Sequence, residues 1–384
     1  MGTKEPIDPQ VMIISSVHRW NDTRLLYREA STLSEQYRVE VDAEAPFASQ
    51  QWGDIQIRGL KILPRWARPI HWITLGWRAL TSPARVIHFH DPELIPLGLM
   101  LRMVGKEVIY DVHEDVPLDL LEKAWIPVYL RRIMVAVYRL WQALADRFLS
   151  AIITATEPIA AQFHNHRLTV IRNYPPVKIL SSADAREPFR PGSRLALIYL
   201  GSISESRGVL EIIQACNYLP KSWDYRLSVV GASKPGSAYG QELLAAAAPF
   251  DGRVEFRGHL DFKEAVSALN AAHMGLVCTH PTPNDLVGQP LKLLEYLVAG
   301  LAVVLSDFPA WHQYVAGYPL YECVDPKNPA AIADGIITLA STLSTVDVRQ
   351  ARVEVQKMQR KYDWASQAEL LSALYRSILP IGGN

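Results

Sequence analysis

The stretch Pro281–Pro309, PTPNDLVGQPLKLLEYLVAGLAVVLSDFP, carries the strongest structural signal in the chain. It predicts a loop, a helix and then a buried strand. Pro290 suits the first turn of the helix, and Gly300 suits the position just after its end. The leucines of the helix form one apolar stripe, as expected for a helix packed on a sheet. This order of elements is typical of a β-α-β unit in a parallel sheet.

The start of the predicted helix is a candidate anion site. Backbone N–H groups of the loop 285–291, which contains Gly288 and Pro290, together with the helix dipole favour a bound diphosphate. Lys292 and Glu295 lie three residues apart and therefore share a helical face. The two oxygens of the Glu295 carboxylate suit a ribose diol. The plainer alternative is a solvated surface glutamate.

Working outward, short apolar runs alternate with longer amphipathic ones, which predicts an α/β protein with parallel sheets. A chain of 384 residues is long enough for two domains. A polar stretch rich in Ser, Pro and Gly, residues 180–194, is the predicted linker between domains 1–179 and 195–365. We expect two Rossmann-like domains whose parallel sheets face each other across a cleft, with the C-terminal helix 366–384 packing back on the first.

The periodicity places individual elements along both halves. The predicted strands are Val11–Ser15, Arg38–Val41, Ile55–Ile57, Val86–His90, Val108–Val112, Ala151–Thr154, Leu168–Ile171, Leu195–Leu200, Leu227–Val230, Val254–Phe256, Gly275–Thr279 and Leu301–Leu305. The predicted helices include Asp22–Glu35, Ile70–Leu80, Glu93–Val104, one within Pro127–Leu149, Arg207–Asn217 and Ser366–Leu379.

Composition excludes several classes of protein. The 39 basic residues are balanced by 39 acidic ones, so no overall field points to nucleic acid. Three scattered cysteines without C-x-x-C spacing argue against a zinc site and favour a reducing compartment. No apolar run reaches the roughly 18 residues of a membrane span, and Val11–Ser15 is too short for a signal sequence. We therefore expect a cytoplasmic protein.

A second candidate phosphate element follows the strand LALIYL. It is the loop GSISESRG, from Gly201 to Gly208. Glycine lets the backbone approach a ligand closely, and Arg207 opens the next helix with a bidentate donor. No Lys–Ser/Thr pair follows Gly208, so this is not a nucleoside-triphosphate loop of that type. Alone the signal is weak, and the alternative is an ordinary surface arginine.

Polar residues also gather after three predicted strands of the first half. They are His18, Asp22 and Arg24, then His90 and Asp91, then Asp111, His113, Glu114 and Asp115. The carboxyl ends of parallel strands face the ligand crevice, so these residues should meet there. The motifs HFHD and DVHED also permit a metal site. We disfavour it, because His88 and His90 share one strand face, where a core histidine is commoner than a ligand.

In their order and spacing, these motifs resemble the GT-B fold glycosyltransferases of family 4, over nearly the whole chain. The motifs that carry the resemblance are DTRLLYREA, HFHDPELIPLGL, VIYDVHED, TVIRNYPP, YLGSISESRGVLEIIQA, VEFRGHL, PLKLLEYLVAGLAVVLSDFP and ECVDPKNPAAIADGI. The resemblance implies transfer of a sugar from a nucleotide diphosphate sugar, with retention and without a metal. The donor would bind the second domain and the acceptor the first.

The resemblance also assigns roles to residues. His113 would contact the transferred sugar, Arg207 would bind the diphosphate, and Lys292 would act beside Arg207 as a third catalytic residue. The implied donor-binding residues are Gly201, Ser202, Arg207, Arg257, Gly258, Gly288, Pro290, Lys292 and Glu295. The implied acceptor-side residues are His18, Asp22, Arg24, His90, Asp91 and Glu114. No metal ligand and no cofactor are expected.

Two positions depart from the family pattern. The family's usual E-x7-E pair would place a glutamate at Val287, so this chain looks like a P-x-K-x-x-E variant formed by Pro290, Lys292 and Glu295. Ser202 stands where many members carry a basic residue, and Lys292 is expected to substitute for it. Two alternatives stay open, a sugar-nucleotide epimerase of the same architecture and a non-catalytic binding subunit.

Two segments combine basic and aromatic residues. Residues 58–85 contain six basic residues, three tryptophans and no acid, and residues 123–141 are similar. Such segments favour contact with an anionic bilayer, which would suit a lipid-linked or other glycan acceptor. The alternative is a pair of helices that pack their aromatic residues internally.

Overall fold

The computed structural model describes residues 10–122, 126–180, 189–190, 192–233 and 236–379. The chain divides into two compact units, residues 1–173 with 365–384, and residues 174–364. Residues 174–179, which the sequence assigned to the first domain, lie in the second unit because Tyr174 and Val177 pack against its core. Most of the predicted linker 180–194 falls outside the described residues.

The first unit is built on an eight-stranded sheet in the order β3-β4-β2-β1-β5-β6-β7-β8. Its strands are β1 (Val11–Arg19), β2 (Val39–Glu44), β3 (Ser49–Trp52), β4 (Ile55–Leu60), β5 (Val86–Phe89), β6 (Glu107–Val112), β7 (Ala151–Thr154) and β8 (Leu168–Val170). Only the edge strand β3 runs antiparallel, in a hairpin with β4. The sequence did not predict β3, because three of its four residues are exposed and no apolar run marks it.

Helices cover the first sheet. They are α1 (Ser31–Ser34), α2 (Pro69–Thr81), α3 (Ile95–Met103), α4 (Val116–Glu122), α5 (Val128–Phe148), α6 (Glu157–Ala160) and, at the far end of the chain, α16 (Trp364–Ile378). The last helix is tied to this unit by a hydrogen bond of 2.9 Å between Tyr375 Oη and His88 Nδ1. In addition, Tyr37 donates to the carbonyl of Leu379 at 3.1 Å.

The prediction of an α-helix at Asp22–Glu35 is wrong in its first half. Residues Leu25–Ala30 form a π-helix, and only Ser31–Ser34 is α-helical. The Glu29 N–H bonds the Arg24 carbonyl, five residues back, at 2.9 Å. The wider turn lets residues five apart share a face, so the Arg24 side chain also reaches Glu29, at 2.7 Å.

The second unit is built on a fully parallel six-stranded sheet in the order β11-β10-β9-β12-β13-β14. Its strands are β9 (Leu195–Leu200), β10 (Tyr225–Val230), β11 (Val254–Gly258), β12 (Met274–Val277), β13 (Ala302–Ser306) and β14 (Tyr321–Val324). Numbered within the unit, this is the 3-2-1-4-5-6 order of the doubly wound fold, whose order reverses between β9 and β12.

The helices of the second unit alternate with these strands. They are α7 (Val177–Leu180), α8 (Val209–Ala215), α9 (Ala238–Ala247), α10 (Phe262–Ala271), α11 (Pro283–Val287), α12 (Leu291–Val298), α13 (Pro309–Val315), α14 (Pro329–Thr345) and α15 (Val348–Lys361). The predicted helix at Arg207 instead begins at Val209, because Gly208 is left-handed, with φ +65°. Gly300 ends α12 with φ +73°, which confirms the predicted stop.

The α/β class with mainly parallel sheets is confirmed, and the strands Ala151–Thr154 and Leu195–Leu200 occur with the predicted bounds. Within the described part of the chain, no single helix is long and apolar enough to cross a membrane. One bent pair, Pro329–Thr345 with Arg349–Ile378, meets the length and composition criteria only when both helices are taken together.

Candidate functional site

Three histidines meet at the carboxyl ends of the central strands of the first sheet. His18 is the last residue but one of β1, His90 follows β5 and His113 follows β6. These strands are neighbours where the strand order reverses. The ring centroids of His90 and His113 are 4.8 Å apart, and those of His18 and His113 are 6.0 Å apart. The structure therefore brings the three predicted clusters of the first half together.

Beneath these rings lies a buried ion pair. Arg24 Nη2 contacts Asp111 Oδ2 at 2.7 Å, and Arg24 Nε contacts Glu29 Oε1 at 2.7 Å, with all three side chains almost fully buried. Burial and the Asp111 charge raise the pKa of Glu29 well above its usual range. Burial alone would raise the pKa of Asp111 too, but Arg24 and His113 outweigh it and hold that pKa well below its usual range.

The cluster therefore holds one charged pair, Arg24 with Asp111. Beside it lies the Glu29 carboxyl, whose raised pKa favours the protonated form. His90 Nε2 lies 2.8 Å from Glu29 Oε2, and burial lowers the pKa of His90 well below its usual value. A neutral His90 is a good acceptor for the Glu29 proton. Arg24 and His90 are thus engaged within the unit. Both were predicted as acceptor-side residues, which stays a prediction; within the unit they hold the buried carboxyls in position.

His18 has the opposite electrostatics. Burial lowers its pKa, but the hydrogen bond with Asp22 and the charges of Asp91 and Asp22 outweigh burial and raise it to about 9. The His18 Nδ1 to Asp22 Oδ2 distance is 3.4 Å. Asp91 is buried and accepts from the Ser16 backbone N–H at 2.6 Å, so it too acts inside the unit. A charged His18, about one-third exposed, marks the accessible part of this site.

His113 lies at the rim of the cluster. Its side chain is 23% exposed, and its Nε2 lies 3.3 Å from Asp111 Oδ2, which places the ring beside the buried ion pair. Glu114 is exposed. Asp115 accepts from the Leu118 N–H at the start of α4 and from Gln162 Nε2 at 2.7 Å, which gives it a structural role. His113 is the member of this trio best placed for chemistry.

Among the described residues, two groups could hold a metal ion by geometry. Glu29, His90, Asp111 and His113 each offer a ligand atom, all within 4.8 Å of one another. The guanidinium of Arg24 already binds both carboxylates of this set, so a divalent ion would have to compete with a fixed cation. The second group, in the other unit, is Asp307, His312 and Cys323.

In the second unit, the loop after β9 lies at the point where the strand order reverses. The hydroxyl of Tyr296 accepts from the Leu200 N–H at 2.9 Å, just before Gly201. Tyr296 can reach it because Gly275 carries no side chain. A Cβ there would lie 2.2 Å from the Tyr296 ring. The exposed Ser202 is held through its carbonyl, which accepts from Tyr199 Oη at 2.6 Å.

The predicted phosphate residues Arg207 and Lys292 both lie at this edge. Arg207 Nη1 is 3.2 Å from Asp285 Oδ1, and its side chain is 42% exposed. Asp285 is itself held by Thr282 Oγ1 at 2.8 Å, at the start of the short helix α11. Lys292 Nζ lies 2.9 Å from Glu295 Oε2, as their spacing predicts, and Glu295 is 7% exposed. Both cations are thus oriented by carboxylates.

The remaining predicted donor residues line the same edge of the sheet. Lys292 packs beside Gly201, since a Cβ on that glycine would lie 3.7 Å from Lys292 Cε. Pro290 is the residue directly before α12. The Gly288 N–H bonds the Asn284 carbonyl at 2.7 Å and is therefore not open to a phosphate, contrary to the prediction. Arg257 and Gly258 end β11 and are exposed.

Gln289 is a candidate site residue that lies in the predicted loop 285–291 but whose side chain the sequence did not single out. Its side-chain oxygen and nitrogen are both buried and have no hydrogen-bond partner. Buried amides are normally paired, so an unpaired one beside the start of α12 suits contact with a ligand. The signal was its place, directly before Pro290 in the P-x-K-x-x-E pattern. The side chain of Val287, the departure from the family pattern, lies outside the described side chains.

Comparison with known proteins agrees with this geometry. Residues 194–342 match the family model described as Glycosyl transferases group 1. The chain is 22% identical over 308 residues to the phosphatidyl-myo-inositol mannosyltransferase of Mycobacterium leprae, covering 78% of this chain and 75% of the relative. The chain is thus similar to glycosyltransferases in sequence, and the family-model match lies in its second unit.

Solved structures of known proteins share the fold of this chain. Sucrose-phosphate synthase from Thermosynechococcus elongatus superposes with a TM-score of 0.71 at 16% identity, over 96% of this chain and 98% of that one. Anabaena HepE, solved with UDP-glucose, gives a TM-score of 0.66 at 14% identity, over 96% of this chain and 100% of that one. These likenesses establish the shared GT-B architecture.

Proposed function

We propose that this chain is a glycosyltransferase that moves a sugar from a nucleotide diphosphate sugar to a glycan or lipid-linked acceptor, with retention and without a metal. The single observation that carries the proposal is the edge of the second sheet. There Arg207 and Lys292 flank the loop after β9, at the point of a doubly wound sheet where ligands bind. The HepE structures with UDP and UDP-glucose support a donor of this class.

The two cations suit the departure of a nucleotide diphosphate. Breaking the sugar–phosphate bond leaves an oxocarbenium-like carbon and puts new negative charge on the leaving phosphate. Arg207 and Lys292 stabilise that charge, and the buried amide of Gln289 is placed to donate to the same ligand. Asp285 and Glu295 hold the two cations at this edge of the sheet. The phosphate would take over the Asp285 contact with Arg207.

Retention is proposed from the resemblance and from the chemistry of the leaving group. The departing phosphate can take the acceptor proton on the face it leaves, so that no carboxylate nucleophile is needed. We propose His113 as the residue that contacts the transferred sugar, with Asp111 orienting its ring. Assignment to family 4 and action on the cytoplasmic side of a membrane remain predictions.

A turnover assay tests the proposed reaction. A panel of nucleotide sugars is incubated with a mixed glycan and lipid-linked acceptor pool, and release of the nucleotide diphosphate is measured with and without excess EDTA. We expect release that needs the acceptor and survives EDTA. Interconversion of the nucleotide sugar without acceptor would show an epimerase instead. Loss in EDTA that magnesium or manganese restores would contradict the role given to Arg207 and Lys292.

A further inference from the structure

Large apolar side chains are exposed on one part of the first unit. In the described part of the chain, most such side chains lie between Ile62 and Phe148. Single exposed apolar residues are ordinary, but a contiguous group marks a surface that binds something. The two helices with the most of them are α2 and α5.

On α2 and the turn before it, the exposed apolar residues follow helical spacing. Trp66, Ile70, Ile73 and Trp77 are 83%, 56%, 76% and 70% exposed. The opposite face of α2, which includes Leu75, is fully buried against the sheet. The helix is therefore apolar on both faces, whereas a surface helix of a water-exposed protein is polar on its outer face.

The outer face of α5 has the same character. Tyr129, Ile133, Val137 and Leu140 recur every three or four residues and are 69%, 57%, 48% and 61% exposed. The inner face packs through Tyr138 and its neighbours. The aromatic residues of these segments are thus only partly packed inside, and the plainer interpretation of the sequence does not hold for Trp66, Trp77 and Tyr129.

Both helices belong to one layer. Their inner residues, Leu75 and Tyr138, join the same core cluster on one face of the sheet. The helix α3 contacts both α2 and α5, and its exposed Met103 is 86% accessible. The outer faces of α2 and α5 therefore point to the same side of the unit. We call the exposed apolar residues of 62–80, 100–104 and 128–140 the apolar face.

The charge of the segments around the apolar face indicates what binds there. The segments 58–90, 94–106 and 126–145 contain eleven basic residues and no Asp or Glu. Three of these basic residues, Arg58, Arg78 and Arg102, pair with carboxylates outside the segments. Lys61, Arg132 and Arg139 are exposed among the apolar side chains. A second copy of this chain docked on the same face would set arginine against arginine, with no carboxylate in these segments to pair with either. Anionic lipid headgroups supply the missing charge.

We propose that the apolar face docks on an anionic lipid bilayer, with α2 and α5 lying in the plane of the interface. Trp66, Trp77 and Tyr129 have the amphipathic rings that favour the headgroup region. The isoleucines between them reach the acyl boundary, and the arginines bind headgroup phosphates. This docking requires neither sugar donor nor acceptor. Its test is therefore independent of the proposed reaction.

The test is flotation of the full chain with vesicles. One set is phosphatidylcholine alone, and the other contains about one-third phosphatidylglycerol. We expect partitioning onto the anionic vesicles that weakens as salt rises. The double variant Ile73→Glu, Ile133→Glu should lose at least about tenfold in partitioning. In the double variant Arg132→Gln, Arg139→Gln, partitioning onto the anionic vesicles should fall roughly fivefold for each arginine removed.

The matched control is Leu244→Glu with Val353→Glu. It replaces two apolar side chains of the second unit that are 60% and 50% exposed, and it should partition like the native chain. Circular dichroism melting checks that every variant is folded. No partitioning onto anionic vesicles, or equal loss in the control and the Ile73, Ile133 variant, would overturn the proposal. The proposal would also be overturned if the native chain bound no vesicles but self-associated, and the double variant Ile73→Glu, Ile133→Glu abolished that self-association. The partner of the apolar face would then be a second copy of the chain.

Discussion

At the residue scale, the buried pair of Arg24 and Asp111 is the most consequential contact in the first unit. Replacing one partner leaves the other charge buried without compensation, which typically costs about 3–5 kcal/mol. We expect Arg24→Gln to lower the free energy of unfolding by about that amount in urea titrations. Arg102→Gln removes a partly exposed pair with Glu107 in the same unit and should cost less than about 1 kcal/mol. Equal losses in the two variants would contradict the buried ion pair.

The other residue-scale prediction concerns His113. Losing a group that contacts the transition state typically lowers turnover by about 10²-fold, in kcat and in kcat/KM together. We expect that loss in His113→Ala with little change in thermal unfolding, since the side chain is partly exposed. His164→Ala, at an 87% exposed histidine of the same unit, is the control. A folded His113→Ala enzyme within about threefold of native turnover would remove His113 from the mechanism.

At the scale of elements, the loop between β9 and α8 depends on Gly208. Its φ is +65°, and a Cβ there would lie 1.9 Å from the Cys278 carbonyl oxygen at the end of β12. Gly208→Ala should therefore move the loop that carries Arg207 and weaken nucleotide binding as well as stability. Gly252→Ala is the matched control, because Gly252 has φ +75° with no atom within 4 Å. In Gly252→Ala the free energy of unfolding should fall only by the roughly 1–2 kcal/mol that a left-handed backbone costs a residue with a side chain.

Calorimetric titration and thermal unfolding of both glycine variants separate the two effects. The account requires nucleotide affinity to fall in Gly208→Ala and to stay native in Gly252→Ala. If both variants bind equally well, the close approach to Cys278 does not shape the donor loop.

The elements also show what the sequence could predict. Apolar runs and glycine stops placed most strands of both sheets, and the spacing of Lys292 and Glu295 predicted their contact. The π-helix at Leu25–Ala30 was not predictable from apolar periodicity. Arg24, directly before it, binds Asp111, a residue far away in the chain that local periodicity does not include. Likewise, nothing local to Arg24 or His90 showed that both would be buried and engaged inside the unit.

At the scale of the whole molecule, each unit has a doubly wound sheet whose order reverses next to its candidate site. In the first unit that point lies between β1 and β5, and in the second between β9 and β12. The parallel sheets followed from the alternation of elements, but the division at Tyr174 did not. The polar composition of residues 180–194 placed the predicted boundary there. The packed segment before it, from Tyr174 onward, already belongs to the second unit.

The measurement that tests the central claim most directly is calorimetric titration with the diphosphates of uridine, guanosine, adenosine and cytidine. We expect one of them to bind the native chain. In Arg207→Ala the binding free energy should weaken by about 1.5–3 kcal/mol, the value of a hydrogen bond to a charged group. Arg226→Ala, at a half-exposed arginine of β10 in the same unit, should bind like the native chain. Failure of all four to bind, or unchanged affinity in Arg207→Ala, would contradict a donor site at this edge of the second sheet.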